Sequence, residues 1–254
     1  MTSPYSHSIR NRLFLVLGCD ELEFTVTDNA LKTLLSGKSA VTDNQMLTSV
    51  LASTAPLAEI FSSVSLTWVG NPFLCYPTLF TDSKDQEKLF ITSHKLRPQD
   101  KLLNGKLNTE ISISYAVDQN MFTTIKDKYP NVVYQHEVEP FFSYIQTELK
   151  PSQTSLILSR TDQKLLLIAL DAKALKLLNQ YDVKDINDVF YFTMLAIERL
   201  ELDIEHLELF WINSPDAQSF EEVKTLFANY IAKITDVPVS NSASTAMATT
   251  ITCA

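Results

Sequence analysis

The chain has 254 residues, of which 45% are hydrophobic and 20% charged, with a net charge of −9 at pH 7 and a pI near 4.9. That is enough chain to bury one large core or two smaller ones without disulfides or metals. A duplex nucleic-acid binder needs a basic footprint, and the Lys and Arg residues of this acidic chain do not cluster into one.

The three cysteines, Cys19, Cys75 and Cys253, are far apart and form no CxxC pair, so neither a zinc site nor a disulfide framework is indicated. The N-terminal stretch MTSPYSHSIRN has no apolar core, so no signal peptide is expected. No run of about 18 apolar residues predicts a transmembrane helix. The expected compartment is the cytoplasm.

Residues 13–17, LFLVL, read as a buried strand. After the short connection GCDE, the alternation of Leu22, Phe24 and Val26 predicts a second strand and a hairpin. A third strand is expected at 30–35, ending at Gly37. Thr42 or Asp43 then caps a helix over 44–54 in which Met46, Leu47, Val50 and Leu51 recur at helical spacing, and Pro56 ends it. A strand over 64–70 carries Trp68. Residues 71–109 read as an insertion. A strand at 110–117, a helix at 118–128, a strand at 132–137 and a helix at 139–148 follow.

The same order returns 143 residues later. Strands are predicted at 156–160 and 164–170, with a third in ALKLLNQYDV. Asp185 or Asn187 caps a helix whose Val189, Phe190, Thr193, Met194 and Ile197 share a face. A strand at 207–212 carries Trp211, and a helix spans about 218–230. Leu13 falls on Leu156, Leu15 on Leu158, Leu22 on Leu165, Phe24 on Leu167, Leu47 on Phe190 and Trp68 on Trp211 without a gap. The expected class is therefore α/β, an internally duplicated chain with mixed sheets and helices on their faces. The expected boundaries are an N-terminal tail over 1–11, a first lobe over 12–150, a second lobe over 151–236 and a flexible tail over 237–254.

Two copies of β-β-β-α-β-α-β resemble the plan of the actin-like (ribonuclease H-like) superfamily, which includes actin, hexokinase and the 70-kDa heat-shock chaperones. More closely, the chain resembles a bacterial family known as domain of unknown function 3822. The resemblance is carried by LTWVGNPFLCYPTLF (66–80), FITSHKLRPQDKLLNGKL (90–107), YPNVVYQHEVEPFFSYI (129–145), KDINDVFYFTMLAIERLELD (184–203) and ELFWINSP (208–215). It implies a degenerate actin-like fold and no assigned activity.

Actin-like enzymes hold the ATP phosphates on the turn of the first hairpin in each half, with an Asp ending the first strand, then Gly, then small hydroxyl residues. Here the turns read LVLGCDELE and LSRTDQKLL. The first places its Asp after Gly18, and the second has no glycine. If a nucleotide binds after all, the resemblance points to Asp20, Thr161 and Asp162. The other reading is two Asp-rich surface turns. The late glycine pair that would serve adenine is replaced by WINSPDAQ. With four glycines in all, Gly18, Gly37, Gly70 and Gly105, neither GxGxxG nor GxxxxGK[ST] can be written.

Of the histidines, His7, His94, His136 and His206, none is spaced for metal binding. His136 opens HEVEP, half of an HExxH, but position 140 is Pro. Glu137 with Glu139, and Glu221 with Glu222, are carboxylate pairs that solvated faces explain equally well. No GxSxG exists. No catalytic residue, cofactor or metal is expected. Phe73, Tyr76, Phe80 and His94 are candidates for an interaction surface, with core packing as the competing reading. The expected function is a non-catalytic interaction or assembly protein with an unidentified protein partner, by analogy with actin-like members of pilus and secretion machinery. The alternatives are an ATP-binding enzyme of sugar-kinase type with atypical loops, or a ribosome- or RNA-associated factor.

Overall fold

The structure is a computed structural model and describes residues 11–80, 82–151, 153–161, 163–171, 174–213 and 217–238. The chain divides into two compact units, one reaching to Ser143 and the other beginning at Tyr144.

The first unit opens with β1 (Arg12–Leu17), β2 (Glu21–Thr27) and β3 (Thr33–Ala40), an antiparallel meander. Helix α1 (Asn44–Ser53) leads to β4 (Ser63–Trp68). Asp43 caps α1 by accepting the Met46 N–H at 2.8 Å, and Pro56 sits in the 3-10 turn Ala55–Ala58 just beyond it. The third strand lies further along than its pattern suggests. Asp28 holds residues 28–32 in a turn by accepting the Ala30 and Lys32 N–H groups at 2.9 and 3.0 Å. Gly37 is inside the strand and does not end it. It pairs with Phe24, whose ring lies where a Cβ would be, 2.5 Å from Cζ.

Next come β5 (Phe73–Pro77), α2 (Ser83–Ser93) and β6 (Asp100–Lys106). Together with β7 (Ile111–Asp118), the two strands form a separate antiparallel sheet of order β5-β7-β6. Asp118 ends β7 and caps α3 (Gln119–Lys128), accepting from the Asn120 and Met121 N–H groups. Then β8 (Val133–His136) joins the main sheet beside β4, and α4 (Val138–Tyr144) follows it at once. The main sheet has the order β3-β2-β1-β4-β8, with β1, β4 and β8 parallel. Along β1, β2 and β4 one face of it is apolar, with Leu13, Leu15, Leu17, Leu22, Phe24, Val26, Leu66 and Trp68 all buried.

Among the described residues the second unit repeats the plan of the main sheet without a counterpart of the three-stranded one. It comprises β9 (Ser155–Thr161), β10 (Lys164–Asp171), β11 (Ala174–Asp182), α5 (Ile186–Arg199), β12 (Glu208–Asn213), α6 (Ala217–Phe227) and β13 (Lys233–Pro238). The order is β11-β10-β9-β12-β13. Asp185 caps α5, and Val189, Thr193 and Ile197 are buried with Trp211, Val223 and Phe227. Each methylene deleted from such a cluster costs about 0.8 kcal/mol in lost burial.

The repeat extends to fine detail in the hairpins. The β2–β3 ladder slips between Val26 and Thr27, and the β10–β11 ladder between Ala169 and Leu170 (169 − 26 = 143). The crossovers differ. Leu17 pairs with Trp68 in the first sheet, whereas Leu158 pairs with Trp211 in the second. By the offset of 143, Leu158 corresponds to Leu15, so the two tryptophan strands are registered two residues apart. The N-terminal residues 1–10 and the tail beyond residue 238, with His7 and Cys253, lie outside the described residues.

Candidate functional site

In an open α/β sheet, ligands sit outside the carboxyl ends of parallel strands, where loops diverge. In the first unit this is the end formed by β1, β4 and β8. Three segments meet there: the turn 18–20, the loop 69–71 and the β8–α4 junction at 136–139.

The turn 18–20 is an ordinary hairpin closure. The Gly18 N–H donates to the Glu21 carbonyl at 2.9 Å, and the Asp20 carbonyl accepts the Val41 N–H at 2.8 Å. Gly18 does not need to be glycine, because its φ is not in the left-handed region and an added Cβ would meet only the Glu21 carbonyl oxygen, at 3.7 Å. A phosphate cradle requires amides left free and a backbone only glycine can adopt. Cys19 and Asp20 are exposed. The second-unit counterpart repeats one feature, since the Gln163 carbonyl accepts the Val183 N–H at 2.8 Å. Thr161 ends β9, and Asp162 lies outside the described residues, as do residues 214–216 of WINSPDAQ.

The loop after β4 is where glycine is required. Gly70 has φ +75°, the one left-handed glycine of the four, and its N–H donates to Glu137 Oε1 at 2.7 Å. Cys19 Sγ lies 3.4 Å from where its Cβ would be. The Glu137 N–H in turn donates to the Trp68 carbonyl at 2.9 Å. Asn71 Nδ2 donates to the Ala116 carbonyl at 2.7 Å, tying this loop to β7.

His136 is fully buried between the rings of Phe73 and Tyr115, at centroid distances of 4.9 and 5.2 Å. The Val138 N–H points at its Nδ1, 3.3 Å away, so Nδ1 accepts and Nε2 carries the proton that is donated to the Asn71 carbonyl at 3.0 Å. Burial pushes its pKa down to about 4 and keeps it neutral, outweighing the bond to Asn71. Glu139 accepts the His136 N–H at 2.7 Å and a backbone bond from Lys106. Burial nevertheless raises its pKa to about 7. Its carboxyl group lies over Gly105 on β6, where an added Cβ would be 2.4 Å from Oε2. The neighbouring Cys75 thiol is pushed up to about 12, by burial first and by Glu139 second.

The carboxylates of HEVEP thus turn to different partners, Glu137 to the β4 loop and Glu139 to the three-stranded sheet. Among the described residues no three or more His, Cys, Asp or Glu side chains are placed to hold a metal ion. Phe73 and Tyr76 are buried, and Tyr76 Oη shares a hydrogen bond with Ser114 Oγ at 2.9 Å. His94 Nε2 is 2.8 Å from the Phe73 carbonyl, with its ring on Phe90. Phe80, 45% exposed, stands with the 91% exposed Leu79 on the surface turn after β5. Sequence reasoning missed the bonds of Glu137 and Glu139. An isolated glycine within a strand, as at Gly105, is the one signal of a close approach there.

Two five-stranded mixed sheets of the same order, each opening on a meander and carrying helices between the later strands, define an actin-like fold. The family described as "Protein of unknown function (DUF3822)" matches residues 4–234, and the chain belongs to that family. The comparison with curated proteins returned no match. A Bacteroides thetaiotaomicron VPI-5482 protein with an actin-like ATPase fold and unknown function is similar at a TM-score of 0.86 and 16% identity, over 100% of each chain. A chain of the PilM–PilN type IV pilus biogenesis complex is similar at 0.57 and 10%, over 92% of this chain and 89% of that one. The cytoplasmic domain of EpsL, an inner membrane component of the Vibrio cholerae type II secretion system, is similar at 0.50 and 13%, over 94% and 95%. These identities speak for the fold alone. No helix among the described residues is long and apolar enough to cross a membrane.

Proposed function

We propose that this protein is a non-catalytic interaction or assembly protein of the cytoplasm, built on an actin-like fold whose phosphate-binding loops are gone. One observation carries the reading. At the carboxyl ends of β1, β4 and β8, the left-handed Gly70 gives its N–H to the chain's own Glu137, and the Gly18 N–H is used to close the hairpin. A phosphate arriving there would meet carboxylates and bonded amides, the reverse of an anion site. The fold shared with PilM of the type IV pilus biogenesis complex and with EpsL of the type II secretion system supports the same reading by analogy of fold. In it, residues 12–150 and 151–236 are two lobes descended from one duplicated unit, and 71–109 is an insertion into the first.

The test is thermal unfolding of the full chain with and without millimolar Mg-ATP or Mg-ADP. A nucleotide at 100 times its dissociation constant would add about 2.7 kcal/mol and move Tm by several degrees. No shift is expected with either. A shift that Asp20→Ala abolishes overturns the proposal in favour of an atypical nucleotide-binding enzyme.

A further inference from the structure

Helices α5 and α6 of the second unit leave an open groove of about 680 Å³ between them. Its apolar floor is made by Ile186 and Phe190, one helical turn apart on α5, with Leu226 of α6 and Tyr230 just beyond it. Phe190 is held in place by Phe227 at 5.1 Å and by the edge of Tyr230 at 5.3 Å. Tyr230 itself is 48% exposed. Glu221 and Glu222 line the α6 side, both exposed, and no Lys, Arg or His lines the groove. Asp185 and Asp188 stand at the α5 end beside Ile186. The corresponding helices of the first unit are closed on each other. Thr124 Oγ1 donates to Asn44 Oδ1 at 2.8 Å, and Lys128 Nζ donates to the Leu51 carbonyl. Among the described residues no side-chain hydrogen bond bridges α5 and α6.

We propose that the α5–α6 groove docks a basic amphipathic helix of a partner protein. The apolar face of that helix would lie on Phe190, Leu226 and Tyr230, and its Lys or Arg residues would face Glu221 and Glu222. An apolar floor with an aromatic anchor takes a helix by its i, i+3, i+4 and i+7 side chains. The two charged residues that line the groove, Glu221 and Glu222, are both acidic and, on a chain of net charge −9, select the sign of the partner. This inference rests on the reading of the chain as an interaction protein and names where one partner would bind.

The test uses the full chain and a labelled synthetic peptide of Leu and Lys, about four helical turns long, with one apolar and one basic face. Fluorescence anisotropy should show binding that weakens with added salt. The affinity should fall about tenfold or more in Leu226→Lys and in the double variant Glu221→Lys with Glu222→Lys. A Leu/Glu peptide of the same pattern should not bind. Glu221 and Glu222 are exposed, so an unchanged Tm for their double variant separates lost binding from lost folding. No binding, equal binding by the charge-reversed variant, or equal binding of the acidic peptide overturns the proposal. A concentration-dependent dimer that Leu226→Lys dissolves assigns the groove to a second copy and overturns it too. A nucleotide-induced Tm shift with peptide binding intact would remove the broader functional reading alone, whereas absent peptide binding without a nucleotide shift would remove the groove alone.

Discussion

The Gly70 N–H and Glu137 Oε1 are 2.7 Å apart, joining residues 67 positions apart in the chain across the ends of β4 and β8. The bond is charge-assisted and partly shielded from water, which places it among the stronger hydrogen bonds of a fold. Replacing Glu137 by Ala leaves the Gly70 amide without this acceptor and should cost about 1–3 kcal/mol in urea unfolding. Glu137→Gln keeps an acceptor and should cost less. Gly70→Ala forces a Cβ into the left-handed region and should cost about 1–2 kcal/mol. Equal stability of Glu137→Ala and the parent would show that the bond does not hold the loop.

Gly105 and Glu139 form a second such pair. Ala at position 105 would put its Cβ 2.4 Å from the Glu139 carboxylate, which two backbone N–H groups hold in place. Gly105→Ala is expected to destabilise by about 1–3 kcal/mol through overpacking. Adding Glu139→Ala should recover part of that loss, giving a coupling of at least about 0.5 kcal/mol in a double-mutant cycle. Strict additivity would separate the two residues.

The same corner predicts an unusual pH profile. Glu139 has a folded pKa of about 7, raised above its unfolded value of 4.5, so the folded state holds the extra proton between those limits. Its contribution favours folding at low pH and is lost as pH rises from 4.5 to 7. His136 has a folded pKa of about 4, depressed below its unfolded value of 6.5, so the unfolded state holds the proton between 4 and 6.5. Its contribution is present above pH 6.5 and lost as pH falls toward 4. The two slopes oppose each other between pH 4.5 and 6.5. Glu139→Gln should therefore leave a stability that rises more steeply with pH through this window than in the parent. Chemical denaturation at half-unit pH steps would show it, and an unchanged slope would contradict it.

Helix α3 depends on one residue at the end of β7. Asp118 Oδ1 accepts the Asn120 and Met121 N–H groups at 2.9 and 3.0 Å. Asp118→Ala should cost about 1 kcal/mol and lower Tm by about 2–4 °C, whereas Asp118→Asn should lose less. A larger loss for Asn than for Ala would contradict the capping role.

Much of the architecture was legible because its causes are local. Alternation at Leu22, Phe24 and Val26 marks a strand, and Asp43 and Asp185 cap helices within three residues of themselves. The errors lay where a distant side chain decides. Gly37 reads as a terminator until the Phe24 ring is seen to occupy the space of its Cβ. The strand expected at 110–117 carries no sign in its own pattern that, as β7, it has both edges claimed by β5 and β6.

The candidate site was less legible for the same reason. HEVEP shows two carboxylates two residues apart, but not that one reaches the β4 loop and the other the three-stranded sheet. Phe73, Tyr76 and Phe80 look alike in sequence, yet the small sheet buries the first two and leaves Phe80 at the surface.

The sequence by itself determined the class of the fold, the repeat at an offset of 143, the helix caps and the missing glycine-rich loops. Each of these is written in spacing along the chain or in a count of residue types. The tertiary structure alone decided where Glu137 and Glu139 point, which aromatics are core and where α5 and α6 leave an open groove. Those outcomes depend on which strand ends meet and which helices pack. Sheet order and crossover register set them, and no local stretch of sequence encodes either.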